Sequence, residues 1–418
     1  MNPSEPVSRT EKSDERFPLM GLALLMTMIC SGLDLTGLAK QLLGRIMCAP
    51  TDANALLDLS IISQLWFKRD IGLAFQAQAL NIQQLYHLRT QGAPTLRLLA
   101  IMAEGDLAAN TPLEFLVEGS DISLDLLYLG SHRPVPSDLP AHDLVFVAVG
   151  ESDRNRAVLH SMDSILKASA KPVVNLPRHI ARLARDSVSR LLQLLPGVAS
   201  PVSARVTRQE LQQAADDLPV SAILADGNFP LIVRPVDSHA GQGLMKLDDR
   251  AAVAAYLNIQ HESEFYASRF IDYRSRDGLF RKYRVVLIDG KAFACHMAIS
   301  DRWMIHYLNA GMSSSAEKRF EEAEFMANFD VNFGRRHGTA LQAIGAQFGL
   351  EYLVIDCAES VDGKLLIFEV DSAAVVHAMD PADVFPYKQA QMQKIFDAFR
   401  HMLMEKAGLG SKNPDPRQ

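Results

Sequence analysis

Residues 354–371 read VIDCAESVDGKLLIFEVD. Two apolar runs flank Asp362-Gly363, a dipeptide that favours a tight hairpin turn. Folding about that turn brings Asp356 on the first strand opposite Glu369 on the second. Alternate residues of a strand share a face, so Glu369 and Asp371 point the same way. Three carboxylates are therefore expected to converge, with no compensating base nearby in the sequence. Uncompensated, they would repel and raise one another's pKa values. A hard divalent cation removes that cost. One or two carboxylates completed by substrate phosphates suit Mg²⁺. Three solvated charges at a strand end is the plain alternative.

A phosphate-bound cation implies a phosphate cradle, and FPLIVRPVDSHAGQG (229–243) offers one. Arg234 closes a strand as a fixed cation. Ser238, Ala240, Gly241 and Gly243 let backbone N–H groups approach a polyphosphate closely. The spacing is neither that of a Walker loop nor that of a dinucleotide fingerprint.

Further out, EFYASRFID (264–272) and KYRVVLIDGKAFACHMAIS (282–300) read as strands, the second turning at Asp289-Gly290. LRLLAIMA (96–103), DLVFVAVG (143–150) and KPVVNLP (171–177) alternate with helical segments, which predicts a parallel α/β layer. The loop GESDRNR (150–156) follows such a strand, where ligands bind. The preferred reading is an ordinary helix start with Ser152 as N-cap and Glu151 and Asp153 at the positive helix end. Residues 180–201 are expected to be one helix ended by Pro196-Gly197. From 17 to 92 everything looks helical. Apolar spacing of three and four through Leu57, Ile61 and Leu65, then Ala74, Ala77 and Leu80, predicts an αα-hairpin whose small residues resemble a tetratricopeptide-type repeat. Residues 1–16 and those from about 409 are polar; the first are expected to be disordered and the second form a tail.

The 418-residue chain is long enough for two or three domains. Its net charge of −7 argues against broad nucleic-acid binding. Cys30, Cys48, Cys295 and Cys357 show no metal or redox spacing and read as reduced cytosolic thiols. The apolar segment 17–33 has a clean core of only 12 residues, Leu19 to Cys30, after acidic Glu11, Asp14 and Glu15. It reads as a buried helix of a cytoplasmic protein rather than a membrane span or signal peptide, and it would also suit a homodimer interface.

In order, the stretches RLARDSVSRLLQLLPGVASP, FPLIVRPVDSHAGQG, YASRFID, RKYRVVLIDGK and VIDCAESVDGKLLIFEVD resemble the ATP-grasp superfamily. The branch is that of glutathione synthetase, D-alanine–D-alanine ligase and the ribosomal-protein glutamate ligases. The resemblance covers about 177–408, with a smaller lobe at about 201–271. Residues 95–176 fit the pre-ATP-grasp domain and 17–94 form a helical domain before it. The implied fold class is α/β and α+β.

The resemblance implies ATP and two Mg²⁺ ions (or Mn²⁺) as cofactors. Asp356, Glu369 and Asp371 become metal ligands, with Glu369 bridging; relatives commonly carry Asn at the last position. Arg234 stands for a phosphate-binding lysine. An earlier family lysine is absent, and Arg185 or Arg190 would replace it. The backbone of Ser268 and Phe270 would read adenine, and Asp272 would meet ribose, although Arg269 stands where an acid is frequent. Arg284, with Lys282 beside it, would face the phosphates or an acyl phosphate. HMAISDRWMIHYLNAG (296–311) follows the acceptor-side loop without the arginine often found near His306. His296 and His306 would orient an acceptor amine or take its proton, or pack as ordinary hydrogen-bonded histidines. Trp303 reads as packing. SSSAEKRFEEAEF (313–325) would supply part of a lid, or a solvated surface helix.

The implied activity is an ADP-forming carboxylate–amine ligase working through an acyl phosphate on small-molecule or peptide substrates. An ATP-grasp kinase is a related alternative. A non-catalytic nucleotide-binding sensor, recruiting a protein partner through its helical N-terminus, is the other.

Overall fold

The computed structural model describes residues 17–410, except Arg89, Gln91, Ser131, Ser137, His239 and Ala240. The expected disorder of 1–16, and the polar tail beyond 410, lie outside the described residues.

The chain opens with four helices, α1 (Gly21–Cys30), α2 (Thr36–Cys48), α3 (Ala53–Leu65) and α4 (Arg69–Ile82). Asp52 caps α3 by accepting the Ala55 N–H. Helices α3 and α4 form the expected hairpin, but α1 and α2 both pack on α3 and supply no second, stacked copy of it. The tetratricopeptide likeness is thus not carried by the fold.

Strand β1 (Leu85–Leu88) follows, where the sequence suggested more helix. It pairs antiparallel with β3 (Ile122–Leu129), which runs parallel to β2 (Leu96–Ala103); β4 (Leu144–Val147) and β5 (Val173–Val174) continue the sheet in parallel. The order is β1-β3-β2-β4-β5. Helices α5 (Leu113–Val117) and α6 (Arg156–Lys167) lie between its strands in sequence. The expected long helix at 180–201 is instead α7 (Pro177–Ile180) and α8 (Arg185–Leu192), then the short strand β6 (Val198–Ala199).

A second sheet is wholly antiparallel, in the order β7-β10-β8-β9. It comprises β7 (Ser203–Thr207), β8 (Leu231–Pro235), β9 (Met245–Leu247) and β10 (Glu264–Arg269), with α9 (Arg208–Asp216) and α10 (Arg250–Ile259) on it. It has its own core of Val206, Leu231, Val233, Tyr256 and Phe265. The third sheet runs β12-β11-β13-β14-β6. Its strands β11 (Phe280–Ile288), β12 (Lys291–Ser300), β13 (Tyr352–Glu359) and β14 (Leu365–Asp371) are antiparallel, with β6 parallel at the edge. Helices α11 (Ala316–Ala327), α12 (Phe333–Phe348) and α13 (Lys388–Lys406) complete this unit. Phe146 of β4, Tyr352 of β13 and Phe399 of α13 meet with ring centroids 5.4 to 6.4 Å apart. That contact welds the first sheet to the third in one continuous core.

Helix α1 is pinned at its start by two carboxylates, Asp58, which is buried, and Glu114, which is half-buried. Asp58 of α3 accepts the N–H groups of Met20 at 3.1 Å and Gly21 at 3.0 Å, and Glu114 of α5 accepts that of Ala23 at 2.9 Å. Burial pushes both carboxyls up to about 7, against these hydrogen bonds and, at Asp58, the Arg45 charge. Asp52 near Asp58, and Asp58 and Glu118 near Glu114, push the same way as burial. A carboxyl raised in the folded state holds its proton more tightly there than in the unfolded chain. Its stabilising effect is complete below roughly pH 4 and is lost as pH rises through about 7. Thermal melting should therefore fall between about pH 4 and pH 7 more steeply for the wild type than for Asp58→Asn/Glu114→Gln. Superimposable profiles would show that the two carboxyls do not titrate with folding.

Candidate active site

Strand register sets four chemical side chains in a row across the third sheet. His296 opposes Arg284, Arg284 opposes Asp356, and Asp356 opposes Glu369. Directly opposed residues share a face, and Lys282, two residues before Arg284, joins them. Asp356 is buried, with Lys282 Nζ 2.7 Å from Oδ2 and Arg284 Nε 2.7 Å from Oδ1. The hairpin pairing thus runs as expected, but the idea of carboxylates without a compensating base is overturned. The bases sit on β11, 72 residues earlier in the case of Arg284, and are invisible from the local sequence.

Glu369 is ion-paired with Arg185 from the first turn of α8, which also reaches the Phe368 carbonyl. Arg190 is exposed and donates to Ser187 Oγ instead, so of the two arginines only Arg185 enters the site. Asp371 opposes Val354 and shares the face of Glu369, while its Oδ1 accepts the Ala373 N–H at 2.8 Å. Burial raises the Asp356 carboxyl, but Arg284 and Lys282 more than reverse that and hold it far below the usual range. At Glu369 burial is likewise outweighed, chiefly by Arg185.

Three carboxylates on one sheet face are chemically suited to a hard cation. Among the described residues, however, no three acidic, histidine or cysteine side chains form a metal-holding group. The three expected ligands are satisfied by Lys282, Arg284, Arg185 and a backbone N–H, which a cation would have to replace.

The second sheet contributes Arg234 on β8, half-buried. Its Nε donates to Ser238 Oγ at 3.0 Å and its Nη2 to the Ser238 carbonyl, so the loop holds the guanidinium in place. Burial and neighbouring Arg185 pull its pKa down to about 10, while Glu369 opposes them. Arg234 thus lies within electrostatic reach of both Arg185 and Glu369. Ala240 falls outside the described residues. Gly241 and Gly243 have φ of +73° and +66°. A Cβ on Gly241 would lie 2.3 Å from His306 Nε2, so the phosphate-type loop and the acceptor-type loop are already in contact. Gly241→Ala is expected to weaken ATP binding about tenfold, through left-handed strain of 1–2 kcal/mol and a displaced His306. Equilibrium dialysis checks this, and unchanged affinity would exclude the loop from the site.

His306 lies within reach of Lys282, Asp356, Arg234 and Glu369, and burial, then Lys282, lowers its pKa. The His296 ring lies 4.8 Å from that of Tyr307, and its buried Nδ1 has no hydrogen-bond partner among the described residues. Burial, then Arg284, drives the His296 pKa well below normal, so at both imidazoles the surroundings favour the neutral form.

The expected adenine-reading segment differs in one respect. The Phe270 N–H donates to the Pro230 carbonyl at 2.8 Å and is not available to a base. The Phe270 ring instead lies between Lys246, 5.0 Å away, and Trp303, 5.8 Å away. Ser268 lies in the β10 ladder opposite Ser203 and Ile232. Arg269 is exposed beside Asp226, and Asp272 is paired to Arg274 at 2.5 Å. That pairing engages the carboxylate expected to meet ribose.

The 150–156 loop touches the same region, since the Asp153 N–H donates to Asp237 Oδ1 at 3.1 Å. The expected cap is corrected: Asn155, not Ser152, is the N-cap of α6, and Ser152 Oγ accepts the Asn155 N–H at 3.2 Å. Asp153 is ion-paired to Arg205 of β7. Glu151, which the sequence presents only as an acid at the helix start, is pushed up to about 7 by burial and Asp237. The lid expectation fails. Helix α11 packs on β12 and buries Glu322 and Met326. A separate groove of about 560 Å³, between the β11–β12 turn and α13, is lined in part by Met326 and holds none of the expected site residues.

No protein-family model matches the chain, and no curated protein matches it. Solved structures do. D-alanine–D-alanine ligase from Bacillus anthracis complexed with ATP is 15% identical over 75% of this chain and 97% of its own, with a TM-score of 0.46. A RimK domain ATP-grasp protein from Sphaerobacter thermophilus is 14% identical over 73% and 99%, at 0.43. The chain is similar in structure to ATP-grasp ligases. D-alanine–D-alanine ligase from Coxiella burnetii is 10% identical over 75% and 96%, at 0.47. The likeness concerns the course of the chain, and the functional reading rests on the side chains. No helix among the described residues is long and apolar enough to cross a membrane.

Proposed function

We propose that the chain is an ATP-dependent, ADP-forming carboxylate–amine ligase. The observation that carries this is the row His296–Arg284–Asp356–Glu369, met by Arg185 from α8 and Arg234 from the second sheet. Four cationic side chains, Arg185, Arg234, Lys282 and Arg284, gather around two buried or half-buried carboxylates. That excess of fixed donors suits a polyphosphate and the charge that develops as it is transferred.

A substrate carboxylate attacks the γ-phosphorus of ATP, ADP leaves, and an acyl phosphate forms. An amine then attacks the acyl carbon and inorganic phosphate leaves. Arg234 and Arg185 bind phosphate oxygens, while Arg284 and Lys282 steady the transferring group. His306, whose surroundings favour its neutral form, accepts the proton that the amine releases. For Glu369, Asp371 or Asp356 to hold a divalent cation arriving with the nucleotide, the cation would have to displace Arg185, Lys282, Arg284 or the Ala373 N–H; once bound it would neutralise phosphate charge.

One observation favours a second reading. The carboxylates are already satisfied by protein donors, as a site that binds nucleotide without turnover would allow. ADP release with ATP, Mg²⁺ and a pooled panel of amino acids and short peptides tests both. Amine-dependent ADP release, with a product equal in mass to acid plus amine minus water, supports the ligase. A phosphorylated product identifies a kinase. ATP binding without ADP release favours the sensor.

A further inference from the structure

The segment 301–315 carries His306, yet its regular structure is limited to two short 3₁₀ turns, Tyr307–Asn309 and Met312–Ser314. Its tip residue Leu308 is 98% exposed. Ile305, Ala310 and Met312 are buried and anchor the segment on either side of that tip. What fixes the stretch bearing His306 is a polar hub beneath it. Glu322 of α11 is fully buried. Its Oε1 accepts the Met297 N–H at 3.1 Å, and its Oε2 accepts the hydroxyls of Tyr307 at 2.9 Å and Tyr387 at 2.5 Å. Lys388, at the start of α13 and also buried, lies 3.3 Å from Glu322 and 3.0 Å from Asp380. Its ammonium donates to the Tyr307 hydroxyl and sits 3.9 Å from the centre of that ring.

Two of these partners are the chain neighbours of the two histidines in the cleft: Met297 follows His296, and Tyr307 follows His306. A single carboxylate therefore ties β12, the acceptor-type loop and α13 together at the points where both imidazoles emerge. A buried charge persists only with such compensation, and none of these groups touches the phosphate-binding row by a hydrogen bond.

We propose that Glu322, backed by Lys388 and Tyr387, is a buried clamp that positions His306 and His296 on the acceptor side of the site. These three are positioning residues outside the reacting groups. Its catalytic consequence rests on the ligase reading; its structural consequence does not.

The test uses the full chain in two variants. Glu322→Gln removes the charge, and Tyr307→Phe removes only the hydroxyl, so the second remains readable if the first fails to fold. Hydrogen exchange is followed by mass spectrometry alongside thermal melting. The clamp predicts exchange in 301–315 at least about tenfold faster, as expected for loss of one buried hydrogen bond, with β11 and β13 unchanged. Wild-type exchange of 301–315 in a folded Tyr307→Phe protein would overturn the clamp. In turnover, Tyr307→Phe should lower amine-dependent kcat about tenfold while the KM for ATP stays within about threefold. A matching rise in the KM for ATP would mean a merely structural role and would also overturn it. Exchange needs neither nucleotide nor turnover. A wild-type protein inactive on every substrate would therefore sink the ligase reading and leave the clamp to be judged by exchange alone.

Discussion

Asp356→Asn should lower stability by about 3 kcal/mol and abolish nucleotide-driven turnover. The carboxylate is buried and answers two cations, Lys282 and Arg284, each with a side chain 19% exposed. Removing it leaves both without their anion in a largely dry cleft. Breaking a buried pair from one side costs about 3–5 kcal/mol, and the residual exposure of the two cations favours the lower figure. The pH dependence has a definite sign. The folded-state pKa of Asp356 lies below its unfolded value, so the contribution is present above roughly pH 4 and is lost as pH falls. The stability gap between wild type and variant should therefore be constant near neutrality and narrow only in acid. Chemical denaturation at pH 7 and at successively lower pH checks this. A gap under about 1 kcal/mol would mean that Lys282 and Arg284 are solvated and that the row is a surface feature.

The second large effect is on chemistry. Glu369→Ala should leave the fold intact, because Glu369 is only half-buried and lies at the cleft-facing end of β14. It should lower amine-dependent ADP release by about 100- to 1,000-fold, the scale seen when one preorganised electrostatic group is removed from a transition-state site. Arg185 then loses its carboxylate partner and is released toward the phosphates. ATP binding should accordingly fall much less than turnover. Equal losses in binding and turnover would place Glu369 in ground-state binding alone.

Much of this site was legible in one hairpin. Asp362-Gly363 fixed the turn, and counting outward placed Asp356 opposite Glu369, as the ladder has it. Period-two alternation then put Asp371 on the same face. The neutralising cations were not legible, because β11 meets β13 through a pairing that spans 72 residues at Arg284 and Asp356. Local sequence holds no record of such a contact. Strand β1 was read as helix because Leu85 continues the apolar spacing of the preceding hairpin; its strand state comes from pairing with β3 across the chain. Strand β3 escaped notice for a related reason. Ile122, Leu124 and Leu126 do alternate with Ser123 and Asp125, but Leu126-Leu127-Tyr128-Leu129 then runs apolar without a break, and all eight residues are buried. The segment 313–325, which covers most of α11, reads from its sequence as either part of a lid or a solvated surface helix. Its decisive residue is Glu322, which is fully buried and holds the acceptor-side loop. A buried glutamate looks like any surface glutamate until its tyrosine and lysine partners arrive from elsewhere in the chain.

The account turns on a polyphosphate being gripped from two sides, by Arg185 beside Glu369 and by Arg234 on the second sheet. Calorimetric titration of ATP with Mg²⁺ into the wild type and into Arg185→Met/Arg234→Met tests that most directly. Saturable 1:1 binding to the wild type is expected, weakened at least about 100-fold in the variant, since each charge-assisted contact contributes about 1.5–3 kcal/mol. ATP binding of equal strength to both proteins, or none to a folded wild type, would contradict it.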